Sequence, residues 1–240
     1  MIYIDSGSNT YGDELTDREN QAWPFLLDKS IGVPVINSAI KGKSNQHIIF
    51  DLINFCSSNN PSLVIIGWVN VNRKLVFRRE NNFPVDFSIN GNNSIYNKDK
   101  TFEEFKNLHF KYWSNDLNDN WVFLQSVILT QNFLKSLNIP YLMFNDNDKS
   151  DILKLTTINQ ENIQTKKRLL DSFDCMPNTE INNVAKQFSL LYNMLDHTNY
   201  YDFSWNLKKL IDFKYHPTSN DHKIILEFML PLITNKLCLK

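Results

Sequence analysis

The stretch Met1 to Leu15, MIYIDSGSNTYGDEL, constrains this chain more than any other. An apolar run of strand type, Met1 to Ile4, turns at once into small and polar residues, Ser6-Gly7-Ser8-Asn9-Thr10, and then Gly12. A strand that ends in a glycine-flanked serine makes a strand-to-loop elbow. At the C-terminal edge of a parallel sheet such an elbow holds a hydroxyl where ligands bind. Only glycine tolerates the backbone angles of a very tight turn cheaply. The same residues also suit an ordinary first turn of an α/β domain, with serines there for local hydrogen bonds.

The chain behind this elbow alternates strands and helices. Trp23 to Ser30 reads as a short helix with Trp23, Leu26 and Leu27 inward. Val33 to Asn37, VPVIN, is a second strand that opens into Ser38-Ala39-Ile40-Lys41-Gly42-Lys43-Ser44-Asn45. A helix then runs to about Cys56, with Ile48, Ile49, Leu52 and Phe55 at helical spacing and Ser44 or Asn45 as N-cap. Leu63 to Gly67, LVIIG, is the continuous apolar run of a buried parallel strand. Strands are expected near Ile2–Ile4, Val35–Asn37, Leu63–Ile66 and Tyr141–Phe144, in a parallel sheet with helices on both faces.

The pattern weakens from Trp68 to about Asp116, and the segment at about 71–118 is expected to be an insertion, either a lid over the sheet edge or a surface loop. Asp119 to Leu137 is a long helix carrying Trp121, Leu124, Val127, Ile128 and Leu134; Pro140 to Asn145 is the fourth strand. Ser150 to Asn193 is mostly helical and broken at Pro177, and Tyr200 to Phe203 is a weak fifth strand. Asn220 to about Thr234 is a closing amphipathic helix with Ile224, Ile225, Phe228 and Leu232. With 240 residues, no internal repeat and no long linker, this predicts one domain over 1–240.

A formal net charge of -1 gives no electrostatic reason to expect nucleic acid or an anionic membrane as partner. Cys56, Cys175 and Cys238 match no zinc spacing and make no disulfide framework, so they read as reduced core or surface thiols. No apolar run reaches membrane-spanning length. A strand that begins at the second residue leaves no room for a secretory signal. The expectation is a soluble protein, cytoplasmic or virus-associated.

Four places collect chemistry: Ser8 after the first strand, Gly42 after the second, Asn70 and Asn72 after the third, and His216 before the last helix. A serine is a poor nucleophile until a base takes its proton, so a serine enzyme needs a histidine in hydrogen-bond reach. The oxyanion formed needs donors such as backbone N–H groups and an asparagine amide. His222 reads as a helix-start residue, and His47, His109 and His197 as structural or surface residues. Gly42-Lys43-Ser44 mimics a phosphate loop, but the glycine that pattern needs five residues before Gly42 is Asn37. Arg73, Arg78 and Arg79 read as a solvated face.

These residues resemble the SGNH (GDSL-type) hydrolases. Ser6-Gly7-Ser8-Asn9-Thr10-Tyr11-Gly12 is similar to that family's first block, Gly-Asp-Ser-x-x-x-Gly. Asn37-Ser-Ala-Ile-Lys-Gly42 resembles the second, Gly67-Trp-Val-Asn70 the third, and His216-Pro217 with His222 the fifth. GSNTYGDEL, the following Trp-Pro, GKSN and IIGW are similar to small members encoded by tailed phages. The likeness spans about 1–73 and 216–232 and omits the middle. It departs at the first block, where glycine and aspartate are Ser6 and Gly7, and at the third, where Asn70 is displaced by one. The acid expected three residues before the histidine is Phe213, with Asp212 one further back.

The resemblance implies a three-layer α/β/α flavodoxin-like fold with a parallel five-stranded sheet in order 2-1-3-4-5. It implies a serine ester hydrolase, an esterase or carbohydrate O-deacetylase, with Ser8 as nucleophile, His216 as base and Asp212 as acid. A Ser-His dyad, or Asp202 as acid, stays open. Ser8, Gly42 and Asn70 would form the oxyanion hole, with Asn72 in reserve. The substrate implied is a small ester or an O-acetylated carbohydrate, without metal or cofactor. The competing expectation is an inactive relative of the fold that binds carbohydrate or serves as a virion interaction module.

Overall fold

The computed structural model describes residues 1–77, 84–87, 100–112, 114, 116–145, 177–201 and 216–238. The strands in chain order are β1 (Ile2–Asp5), β2 (Val35–Asn37), β3 (Leu63–Trp68), β4 (Lys74–Phe77), β5 (Pro84–Phe87), β6 (Tyr141–Asn145) and β7 (Tyr200–Tyr201). The helices are α1 (Ser8–Tyr11), α2 (Arg18–Gln21), α3 (Trp23–Ile31), α4 (Asn45–Ser58), α5 (Lys100–Tyr112), α6 (Asp116–Ser136), α7 (Asn178–Asn193) and α8 (Ser219–Lys236). Five strands form one sheet in the order β2-β1-β3-β6-β7, every pair parallel. That is the expected 2-1-3-4-5 order, with β1, the strand that leads to Ser8, inside the sheet. The weak fifth strand is present at Tyr200–Tyr201; the rest of its expected span, and the expected helical stretch over 150–176, lie outside the described residues.

Alternation along the strands builds the three layers, because successive side chains point to opposite faces. Ile2, Ile4, Leu63, Ile65, Leu142 and Phe144 face α3 and α8. Tyr3, Val64, Ile66, Trp68, Tyr141 and Met143 face α4, α6 and α7. All six residues of β3 are buried, as its unbroken apolar sequence requires of a central strand covered on both faces. Trp23 and Leu27 are buried under α3, whereas Leu26 stays half-exposed.

Caps fix the helices that flank the site. The Ser44 hydroxyl accepts from the His47 N–H at 3.2 Å, so Ser44 caps α4 and Asn45 is its first residue. Thr218 and Asp221 form a reciprocal capping box at the start of α8, which satisfies two of the orphan donors of that turn. Within the segment expected to be an insertion, β4 and β5 pair as an antiparallel hairpin, and α5 follows. The hairpin packs on α4, where Phe77 meets Phe50 edge-on with ring centroids 5.4 Å apart. Cys56 is half-buried and Cys238 exposed, both as free thiols; Cys175 lies outside the described residues. Among the described residues no helix is long and apolar enough to cross a membrane.

His222 ties α8 to α3. It is fully buried, and its Nδ1 accepts from the Trp23 N–H at 3.3 Å, so the ring is neutral there. Burial pushes its pKa down to about 4. The unfolded chain therefore binds more protons than the folded one between about pH 6.5 and 4, and this stability is present above that window and lost as pH falls through it. In thermal melts, the stability of the wild type relative to His222→Gln is expected to shrink as pH falls from about 6.5 to about 4. A difference that stays constant would show that His222 does not titrate in this way.

Candidate active site

Three loops at the C-terminal edge of the sheet are bonded to one another. The first leaves β1 through Ser6 and Gly7. A side chain at Gly7 would collide with Val69, and one at Gly67 with Ser6 and the Phe144 ring, so both glycines permit close approach of β1 and β3 at this edge. Ser8 opens α1, and its carbonyl accepts from the N–H groups of Gly12 and Asp13, each at 3.0 Å. The second loop is laid against the first: Ser38 N–H donates to Ile4 O at 2.8 Å and Ile40 N–H to Ser6 O at 3.3 Å. Gly42 has φ 80°, a left-handed conformation that favours glycine. In the third loop the Asn45 amide brackets Val69, donating to its O at 3.0 Å and accepting from its N–H at 2.8 Å. Asn70 is half-buried, and its Oδ1 accepts from the Asn72 N–H at 3.1 Å.

Arg73 departs from its expected place on a solvated face. It is half-buried, donates from Nη1 to Lys43 O at 3.2 Å and lies beside Gly7. Arg78 and Arg79 lie outside the described residues.

Ser8 is half-buried, and among the described residues its hydroxyl makes no hydrogen bond. His216 comes from the far end of the chain to the loop that begins at Ser8. Its Nδ1 lies 3.1 Å from Glu14 Oε1, and its Nε2 lies 3.6 Å from Asp13 Oδ2. Asp13 also pairs with Lys41 at 2.8 Å. Glu14 has φ 69°, a conformation that non-glycine residues adopt rarely. The ring thus meets two carboxylates of the loop that begins at Ser8. The acids expected from sequence, Asp212 and Asp202, lie outside the described residues.

Beneath these loops sits a charge cluster that the sequence reading missed. Lys43 is fully buried, and its ammonium donates to Asp5 Oδ1 at 2.7 Å, to Asp5 Oδ2 at 2.8 Å and to Ser38 O at 3.1 Å, while pairing with Asp51 at 2.5 Å. The Tyr3 hydroxyl donates to Asp5 Oδ2 at 2.9 Å. Burial pushes the Asp5 carboxyl up to about 7, against the pull of the Lys43 ammonium, and the Asp51 charge adds to the rise. Burial and the neighbouring Asp5 charge raise Tyr3, which stays a neutral donor. At the rim, Asp86 of β5 accepts from the Ser44 N–H at 2.9 Å and meets His47 Nδ1 at 2.5 Å. Burial opposes the charge on His47, but the carboxylates of Asp86 and Asp51 outweigh it and raise the imidazole. One sequence signal for the cluster exists. Asp5 ends a central apolar strand, where a carboxylate needs a partner, and Lys43 follows the turn glycine of the neighbouring loop.

The sheet order and layers define a flavodoxin-like α/β/α protein with its loops of interest at the C-terminal edge. Among solved structures the chain is similar to TesA, with a TM-score of 0.52 and 12% identity over 98% of this chain and 99% of that one. It also aligns with the acetyl xylan esterase AlAXEase, at TM-score 0.49 and 13% identity over 97% and 100% of the two chains. A further match is a lipolytic protein of the G-D-S-L family from Veillonella parvula, at TM-score 0.47 and 13% identity over 97% of each chain. At such identity the likeness to TesA shows a shared fold and nothing finer. No protein-family model and no curated protein sequence matches the chain.

The Asp5 carboxyl supplies a pH test. Its pKa is raised on folding from 3.8 to about 7, so the folded state binds more protons between these values and loses stability as pH rises through them. Asp5→Asn cannot titrate. The thermal midpoint of the wild type relative to Asp5→Asn is therefore expected to fall as pH rises from about 4 to about 7. A difference that grows with pH would mean that Asp5 enters the fold ionised throughout.

Proposed function

We propose that the chain is a serine ester hydrolase acting on a small ester or on the O-acetyl group of a carbohydrate. Ser8 Oγ attacks the acyl carbon while His216 takes its proton, and the same ring returns a proton to the leaving alcohol. Water then hydrolyses the acyl-serine by the same acid–base steps. Asp212 is the acid proposed to steady the imidazolium. The N–H groups of Ser8 and Gly42, with the Asn70 amide, are proposed to receive the oxyanion. For proton transfer the ring has to present a nitrogen to Ser8 Oγ at about 3 Å.

The observation that carries this reading is the meeting of His216 with the Ser8 loop, through Asp13 and Glu14. The sequence blocks around Ser8, Gly42 and His216-Pro217 add to it, as does the shared fold with TesA. A second reading, an inactive module of the same fold that binds carbohydrate or a virion protein, is favoured by one feature. In the described structure the ring turns to carboxylates and Ser8 Oγ is unbonded.

The Ser8→Ala variant separates the two. With a generic acetyl ester it is expected to lower kcat by at least about a thousandfold. The thermal midpoint should stay nearly unchanged, because a half-exposed hydroxyl that makes no hydrogen bond among the described residues contributes little to stability. Equal turnover with alanine at position 8 would refute the serine mechanism. A wild type inert toward a broad ester panel would favour the binding module.

A further inference from the structure

We propose that Lys43 is a positioning residue whose buried ammonium sets the Gly42 loop against the end of β1 and so against Ser8. The role in catalysis rests on the hydrolase reading above; the role in holding the loop does not. Lys43 directly follows Gly42, and its side chain is fully buried.

An ammonium has three N–H donors, and three partners receive them: the Asp5 carboxylate at the end of β1, Asp51 on α4, and the Ser38 carbonyl. Ser38 opens the loop that Gly42 and Lys43 close. The contact between Lys43 Nζ and Ser38 O therefore draws the two ends of that loop together, while Asp5 fixes it to the strand that delivers Ser8. The Lys43 backbone carries the bonding onward. Its carbonyl accepts from Arg73 Nη1, and Arg73 lies beside Gly7, so the loops after β1, β2 and β3 meet at one residue. Ser44, the next residue, donates its N–H to the Asp86 carboxylate of the hairpin.

Stability alone does not call for such an arrangement. A buried ion cluster is often no more stable than apolar side chains of the same volume, because desolvation offsets the Coulomb gain. What apolar packing does not supply is direction: three donors that place one loop on a strand end and on itself. Oxyanion donors act only when they are set beforehand at the right distance.

The test uses the full chain with Lys43→Met, and the double variant in which Asp5→Asn removes the carboxylate that Lys43→Met leaves unpaired. Acetyl ester kinetics, thermal midpoints and hydrogen exchange are measured on each. Lys43→Met is expected to lower kcat about 30- to 100-fold with KM within about twofold, as displaced donors require. Exchange should rise over residues 38–43, where the Ser38, Ile40 and Lys43 amides are bonded, and not over 63–68. The double variant should recover much of the thermal midpoint and none of the kcat.

A folded variant that keeps kcat within about threefold overturns the proposal. So does exchange that rises evenly across the sheet, or not at all over 38–43. If Lys43→Met fails to fold, the double variant is read by the same criteria. If the wild type hydrolyses no ester, the hydrolase reading fails on that result, and exchange over 38–43 decides the positioning claim by itself.

Discussion

The buried pair between Asp5 and Lys43 is the interaction on which the rest of the site depends. One positive charge, without contact to water, holds the last residue of a central strand, the loop after the neighbouring strand, and a helix. Removing Lys43 takes the shared ammonium from Asp5 and Asp51 at once, whereas removing Asp5 leaves Lys43 paired with Asp51 and Ser38 O. The cluster also carries two carboxylates for one ammonium, and Tyr3 donates to the more deeply buried of them. Burial resolves the imbalance by raising Asp5. Two pH-sensitive groups thus act in opposite senses on stability: Asp5 favours the folded state toward low pH, His222 toward neutral pH.

Much of the fold was legible from periodicity. The apolar runs at β1, β3 and β6 could only be covered strands, and α4 and α6 carried their apolar residues at helical spacing. The alternation of strand and helix called for a parallel sheet, and the family likeness supplied the strand order. Local ends were less legible. Ser44 and Asn45 competed for one cap, and only the fold sends Asn45 to Val69 and leaves the cap to Ser44. The hairpin β4–β5 was not foreseen, since its strands are short and its docking rests on Asp86 reaching Ser44 and His47 from about forty residues away.

The candidate site was legible where a motif marks it and opaque where only tertiary contact does. Ser8, Gly42 and His216 stand in recognisable spacing. Nothing in spacing pairs Asp5 with Lys43, or brings Arg73 under the backbone of Gly7, because these contacts join loops that follow three different strands. The acid expected from sequence, Asp212, lies outside the described residues, and the described contacts of the His216 ring come from Asp13 and Glu14, on the loop that carries Ser8. An elbow that supplies a serine and, within the next turn, two carboxylates concentrates the polar chemistry on one loop.

The central claim is that Ser8 is an activated nucleophile in a site that His216 serves. The most direct measurement is covalent labelling of the purified protein with a fluorophosphonate, followed by mass spectrometry of its peptides. The account predicts a single adduct on the peptide that carries Ser8, absent from Ser8→Ala and strongly reduced in His216→Asn. No adduct on the wild type, or an adduct that persists in Ser8→Ala, would contradict it.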